Sequence, residues 1–176
     1  GDNIVSENGC RAMRLFCGRN EEGEMSLAEN AVYELIGVLC DNSEDCEDDS
    51  GVITEVGKTT EFLANDQQFA LPICESGLVL NLIRSMELCI DSSSAQREVI
   101  HAFRQLGKID EEARMQCVTE GVIKPIVIGM NHHRDEVTVQ SAGAHAFSIY
   151  ANENPTIAQT IFGLNGPEIT IEAMNE

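Results

Sequence analysis

Three groups of residues in this 176-residue chain could do chemistry: seven cysteines, one pair of adjacent histidines and one dense run of carboxylates. The cysteines are Cys10, Cys17, Cys40, Cys46, Cys74, Cys89 and Cys117. Their number is odd and no two are spaced C-x-x-C. Most sit among apolar neighbours at helical intervals, so they are expected to be buried free thiols in a reducing, intracellular compartment. His132 and His133 are adjacent, and side chains of neighbouring residues diverge. Zinc needs about four converging nitrogen or sulfur ligands, so no metal site is expected. The pair is expected to end a helix, where a partly cationic imidazole is favoured by the dipole.

The carboxylate run is D-N-S-E-D-C-E-D-D-S-G, residues 41–51, with six acids. A calcium loop of the EF-hand type needs Gly at its sixth position and Glu at its twelfth. Counted from Asp41, those places hold Cys46 and Val52. The pattern fails, and weak, non-specific divalent binding is the remaining metal reading. The run is expected to be a solvated, mobile insertion, because like charges extend a chain. It could dock a basic partner.

Catalytic patterns are lacking. There is no G-x-S-x-G, no Gly-rich phosphate loop and no H-E-x-x-H. Asp110-Glu111-Glu112 reads as carboxylates complementing a helix N-terminus. No catalytic residue, cofactor or metal is expected, and the chain is expected not to be an enzyme.

The net charge of −19 works against nucleic acid, since neutralising phosphates needs clustered Lys and Arg. No apolar run reaches the length of a membrane span, so no membrane insertion is expected. Hydrophobic residues make up 43% of the chain, aromatics only 5%, and Trp is missing. The core must therefore be built from Leu, Ile, Val, Ala, Met and Cys. Few apolar runs alternate, which argues against an all-β fold.

What positions these residues is a repeat. Met86, Met130 and Met174 recur at intervals of 44, as do Gln96 and Gln140, Ala102-Phe103 and Ala146-Phe147, and Gly77 and Gly121. Asn165 takes the next glycine position. Periods of this length mark repeat arrays. The unit reads as three helices. In residues 109–152, Asp110 caps a first helix over 111–119, with Ala113, Cys117 and Val118 on one face. Gly121 breaks it. Val122, Ile123, Ile126, Val127 and Met130 form the stripe of a second helix. A third runs over 136–150, burying Val139, Ala142, Ala146, Ile149 and Tyr150.

The same order appears in residues 65–108, with capping boxes expected at Asn65 and Gln68 and at Ser93 and Gln96. It appears again in residues 20–64, where 41–51 is inserted. Residues 1–19 hold a lone third helix over 5–17. Residues 153–176 hold two helices, opening at Asn154-Pro155 and ending over 169–174. Each unit exposes an apolar face that only its neighbour covers. The chain is expected to be a section of a longer solenoid.

The segments G-V-I-K-P-I-V-I-G-M, V-T-V-Q-S-A-G-A-H-A-F-S-I-Y-A and N-E-N-P-T-I-A-Q-T-I resemble the helices of armadillo repeats. The resemblance covers nearly the whole chain and is weakest over 40–62. It implies an all-α, right-handed α-solenoid of three-helix repeats. It also implies a concave groove, lined by the third helices, that binds peptides or partner proteins. In the peptide-binding members, each third helix carries a groove Asn with a Trp four residues earlier. The matching Asn positions here hold Leu15, Phe62, Gln105 and Ile149. The matching Trp positions hold Arg11, Lys58, His101 and His145. The asparagine–tryptophan ladder is absent, so nuclear-import cargo binding is not implied.

All four residues of the second column can carry positive charge. Arg14, Arg97 and Arg104 lie three or four residues away on the same helices and share their face. Glu61 interrupts the pattern. The expectation is a weakly basic groove of Arg11, Arg14, Lys58, Arg97, His101, Arg104, Gln105 and His145, taking a polar or acidic partner segment. The plainer reading is a set of solvated helix positions. Two further roles compete: a scaffold held in a large assembly, or the regulatory arm of a longer multidomain protein.

Overall fold

The structure is a computed structural model that describes residues 8, 9, 11, 12, 29–45, 48–152, 154–164 and 166. Its described residues form an all-helical fold without strands. The helices are α1 (Glu29–Asp45), α2 (Ser50–Leu63), α3 (Gln67–Glu75), α4 (Leu78–Leu88) and α5 (Ser93–Ile109). They continue with α6 (Glu111–Glu120), α7 (Ile123–His132), α8 (Val137–Ala151) and α9 (Pro155–Gly163). Thus α3–α4–α5 and α6–α7–α8 are two complete three-helix units. The helices α1 and α2 are the second and third of the unit before, and α9 is the first of the unit after. The helices expected before residue 29 and over 169–174 lie outside the described residues, except that 8, 9, 11 and 12 are helical.

Local chemistry sets most boundaries. Asp110 accepts from the Ala113 amide at 2.9 Å and opens α6. Asn154 accepts from the Ile157 amide at 3.2 Å, and Pro155 occupies the first turn of α9. Gly77 and Gly121, at φ 87° and 94°, make the sharp joints between first and second helices. Only glycine enters that left-handed region without strain.

Two expected capping boxes are corrected. Asp66, not Asn65, caps α3 through the Gln68 amide. Asn65 instead donates back to the Glu61 and Phe62 carbonyls at the end of α2. Ser92, not Ser93, caps α5, accepting from the Ala95 amide at 3.3 Å. Gln96 is buried and does something else. Its Nε2 donates to the carbonyls of Met86 (2.7 Å) and Cys89 (3.2 Å) at the end of α4. Gln140 repeats this one period later, donating to Met130 (2.7 Å) and His133 (2.8 Å) at the end of α7. The conspicuous Gln interval is therefore a latch that satisfies helix-terminal carbonyls, which helices leave unpaired.

The acidic run is also corrected. Residues 41–45 continue α1, and residues 50–51 already belong to α2. The reason is the buried stripe: Leu35, Ile36 and Leu39 are followed by Ser43, which is fully buried and donates to the Cys40 carbonyl at 2.7 Å. Asp49 then caps α2 through the Gly51 and Val52 amides.

Like helices stack on like. The helix α5 packs between α2 and α8, α4 between α1 and α7, and α3 against α6. Gly57 lets α2 approach α5 closely, since a Cβ there would lie 2.9 Å from the Glu98 carbonyl carbon. One continuous core runs along the stack, with Leu78, Leu82, Val99, Phe103, Leu106, Ile126 and Tyr150 fully buried. Each such side chain contributes roughly 1.5–3 kcal/mol on burial. No single helix among the described residues is long and apolar enough to cross a membrane.

Candidate functional site: the polar face of the third helices

A set of charged and polar side chains gathers on one face of the third helices α2, α5 and α8. This follows from the period. Glu55, Lys58 and Glu61 on α2 are matched 43 residues later by Glu98, His101 and Arg104 on α5. The corresponding positions on α8 hold Ala142, His145 and Ser148. Because α2 and α5 are direct neighbours, the two triplets lie side by side.

The charges are paired. Lys58 Nζ lies 2.6 Å from Glu55 Oε1, one turn away on the same helix. Arg97 Nη2 lies 2.5 Å from Glu98 Oε1. Arg104 Nη2 donates to Glu61 Oε1 at 2.8 Å and so spans two repeats. Glu55 and Glu98 are buried to 6% and 8% exposure, which requires such cations beside them. Lys58, Arg97 and Arg104 are thus each paired with a carboxylate, and where α2 meets α5 the expected basic groove is a mixed polar surface.

His101 does not restore the positive charge. It is half-buried, and loss of solvent lowers its pKa below the usual imidazole value. Glu61 and Glu98 oppose that shift, while Arg104 and Arg97 reinforce it. Its Nδ1 is enclosed without a hydrogen-bond partner, as is Arg104 Nε. Near neutral pH it is an uncharged imidazole between two ion pairs.

The other expected positions diverge. His145 is exposed on α8, and Arg11 is exposed and helical. Gln105 is buried to 6% exposure, as deeply as Glu55 and Glu98. Arg14 lies outside the described residues. The residues that sequence reasoning missed are Glu55 and Glu98. Their spacing to Lys58 and Arg97, and the 43-residue match between them, were the available signal.

The histidine pair ends α7 as expected, His132 being its last residue and His133 its cap. It also fastens neighbouring repeats. His132 Nε2 contacts Asp91 Oδ1 at 2.9 Å, and His133 Nε2 donates to the Ile90 carbonyl at 2.7 Å. Among the described residues no three His, Cys, Asp or Glu are placed to hold a metal ion. An open hollow of about 310 Å³ lies beside the start of α2, lined by Asp48, Ser50, Leu88, Cys89, Asp91 and Ser92. Burial, aided by Asp48 and Asp49, pushes the Cys89 thiol up to about 11.

Neither a family model nor a curated protein matches the chain. Among solved structures, the chain is similar to a crystal structure described as an engineered protein from the Northeast Structural Genomics Consortium. The TM-score is 0.77 at 20% identity, over 94% of this chain and 65% of that one. The chain thus spans less than two thirds of that protein's length, and at this identity the likeness concerns the fold alone.

Proposed function

We propose that this chain is a section of a right-handed, armadillo-type α-solenoid that serves as a non-enzymatic protein–protein interaction module. Its binding face is the groove lined by α2, α5 and α8, and its partner is an extended polar segment of a protein or peptide. The observation that carries this reading is the side-by-side pair of triplets, Glu55-Lys58-Glu61 and Glu98-His101-Arg104, held by the Arg104–Glu61 ion pair. Such a surface offers donors and acceptors in a fixed grid. The pairing also redefines the partner. A uniformly acidic segment gains little from cations already neutralised, so a segment of mixed polarity fits better.

A specific observation favours a second reading, a scaffold held through its second helices. Val38, Leu80 and Ile128 on α1, α4 and α7 are 39%, 52% and 39% exposed. Large exposed aliphatics of this kind mark interaction surfaces when they are contiguous.

The test is affinity capture with the full-length protein in three forms: unaltered, K58E/R104E, and L80E/I128E. Partners lost at least tenfold by the first variant and kept by the second support the groove. The reverse pattern supports the scaffold and overturns the groove. Circular dichroism on each variant controls for folding.

A further inference from the structure

Among the described residues, two cysteines that the binding face does not use lie side by side. Cys74 on α3 and Cys117 on α6 come from successive repeats, and their sulfurs lie 3.8 Å apart. Both are free thiols, 1% and 0% exposed. Cys74 Sγ also points at the Ala113 carbonyl, 3.8 Å away on α6. The remaining described cysteines are engaged elsewhere: Cys40 donates to the Ser76 carbonyl at 3.3 Å, and Cys89 borders the hollow by α2.

We propose that Cys74 and Cys117 form a redox fastener, which a hydroperoxide closes into a disulfide between α3 and α6. A disulfide bond is about 2.05 Å long. The sulfurs must therefore approach by roughly 1.8 Å, which side-chain rotation and a small slide of two stacked helices supply.

The chemistry balances with one peroxide. The Cys117 thiol loses its proton and attacks one peroxide oxygen. The O–O bond breaks, giving a sulfenic acid on Cys117 and a hydroxide that takes the released proton as water. Cys74 sulfur then attacks the sulfenic sulfur. The S–S bond forms, the S–O bond breaks, and the hydroxyl leaves with the Cys74 proton as a second water. Two electrons pass from the sulfurs to the peroxide.

The hydrogen bond with Cys117, and then burial, push the Cys74 thiol well above the usual range, so the closed pair is unreactive and both steps need it to open. The site is shielded, and the oxidant enters through local opening of the α3/α6 contact. Small peroxide is favoured over bulky disulfides for the same reason.

The experiment treats the folded chain with hydrogen peroxide, blocks remaining thiols with iodoacetamide in denaturant without reductant, and digests with trypsin. Cleavage places Cys74 in peptide 59–84 and Cys117 in peptide 115–134, since the Lys124–Pro125 bond resists trypsin. The expected result is a linked 59–84/115–134 species, 2 Da lighter than the sum of its reduced peptides. It disappears on reduction and is missing from C74A and C117A. The oxidised chain melts about 4 °C or more above the reduced one, and neither variant shows this rise. The proposal is overturned if both peptides are recovered alkylated while other cysteines oxidise, or if Cys117 stops at a sulfinic or sulfonic acid. A link that forms only in denaturant, or that abolishes helical circular dichroism, overturns it equally.

Discussion

The phenol of Tyr150 on α8 donates a 2.7 Å hydrogen bond to the backbone carbonyl of Phe103 on α5, wholly inside the core. Phe103 lies one repeat earlier, so this single bond fixes the relative position of two third helices. A buried Tyr hydroxyl requires such a partner. Replacing Tyr150 with Phe keeps the ring and removes the bond. The expected loss is about 1 kcal/mol, read from the midpoint of urea unfolding. An unchanged midpoint would show that the bond adds nothing to the stack.

Gln96 and Gln140 are expected to cost more. Each side chain satisfies two carbonyls at the end of a second helix. Gln96→Leu or Gln140→Leu leaves those acceptors enclosed without their donor. A loss of about 1–3 kcal/mol per substitution is expected. Hydrogen exchange should quicken at the ends of α4 and α7 respectively. Equal protection in variant and parent counts against the latch.

Asp110 carries a cap whose strength depends on its charge. The Ala113 amide, and then the Gln67 side chain 3.0 Å from Oδ2, hold its pKa below the ordinary carboxylate value. A lowered carboxylate pKa means that the folded state binds its proton less readily than the unfolded state. Its contribution is present above the unfolded pKa and is lost as pH falls through the folded value. Asp110→Ala should therefore cost about 1 kcal/mol at pH 7. The difference from the parent should shrink in acid, as followed by thermal melts between pH 7 and pH 3.

His101 predicts a second acid sensitivity with a different onset. Its folded pKa lies below the usual imidazole value, so protonation favours the unfolded chain. Stability conferred by the neutral ring is present above about pH 6.5 and declines as pH falls toward the folded pKa. NMR titration of the ring should give a midpoint below the usual imidazole value of about 6.5. A midpoint equal to or above it would contradict the enclosed, neutral imidazole. His101→Gln should flatten this part of the stability–pH curve.

Much of the fold is legible in the chain because it is local. The stripes at helical spacing, the caps at Asp110 and Asn154 and the joints at Gly77 and Gly121 depend on residues a few positions apart, and the 44-residue interval is their repetition. The misassigned caps at Asn65 and Ser93 differ from the observed ones by a single residue, where several side chains of capping type are adjacent. The acidic run misled for a related reason. Its charges argue for a loop, but the apolar stripe of α1 carries the helix through residue 45, with buried Ser43 on the inner side.

The face of the third helices divides along the same line. Its residue types and their approximate alignment were readable from the period alone, since a helix in a repeat array presents the same positions each time. Whether those residues carry net charge was not. Only stacking α2 against α5 brings Glu61 to Arg104, and it is chiefly burial that lowers the His101 pKa. Ion pairing and desolvation act through space over a few ångströms, between residues some 43 positions apart. The sequence by itself thus determined a helical repeat with a polar column on its third helices. The tertiary structure decided that Lys58, Arg97 and Arg104 in and beside this column are paired with carboxylates, that the repeated glutamines are internal latches, and that Cys74 meets Cys117.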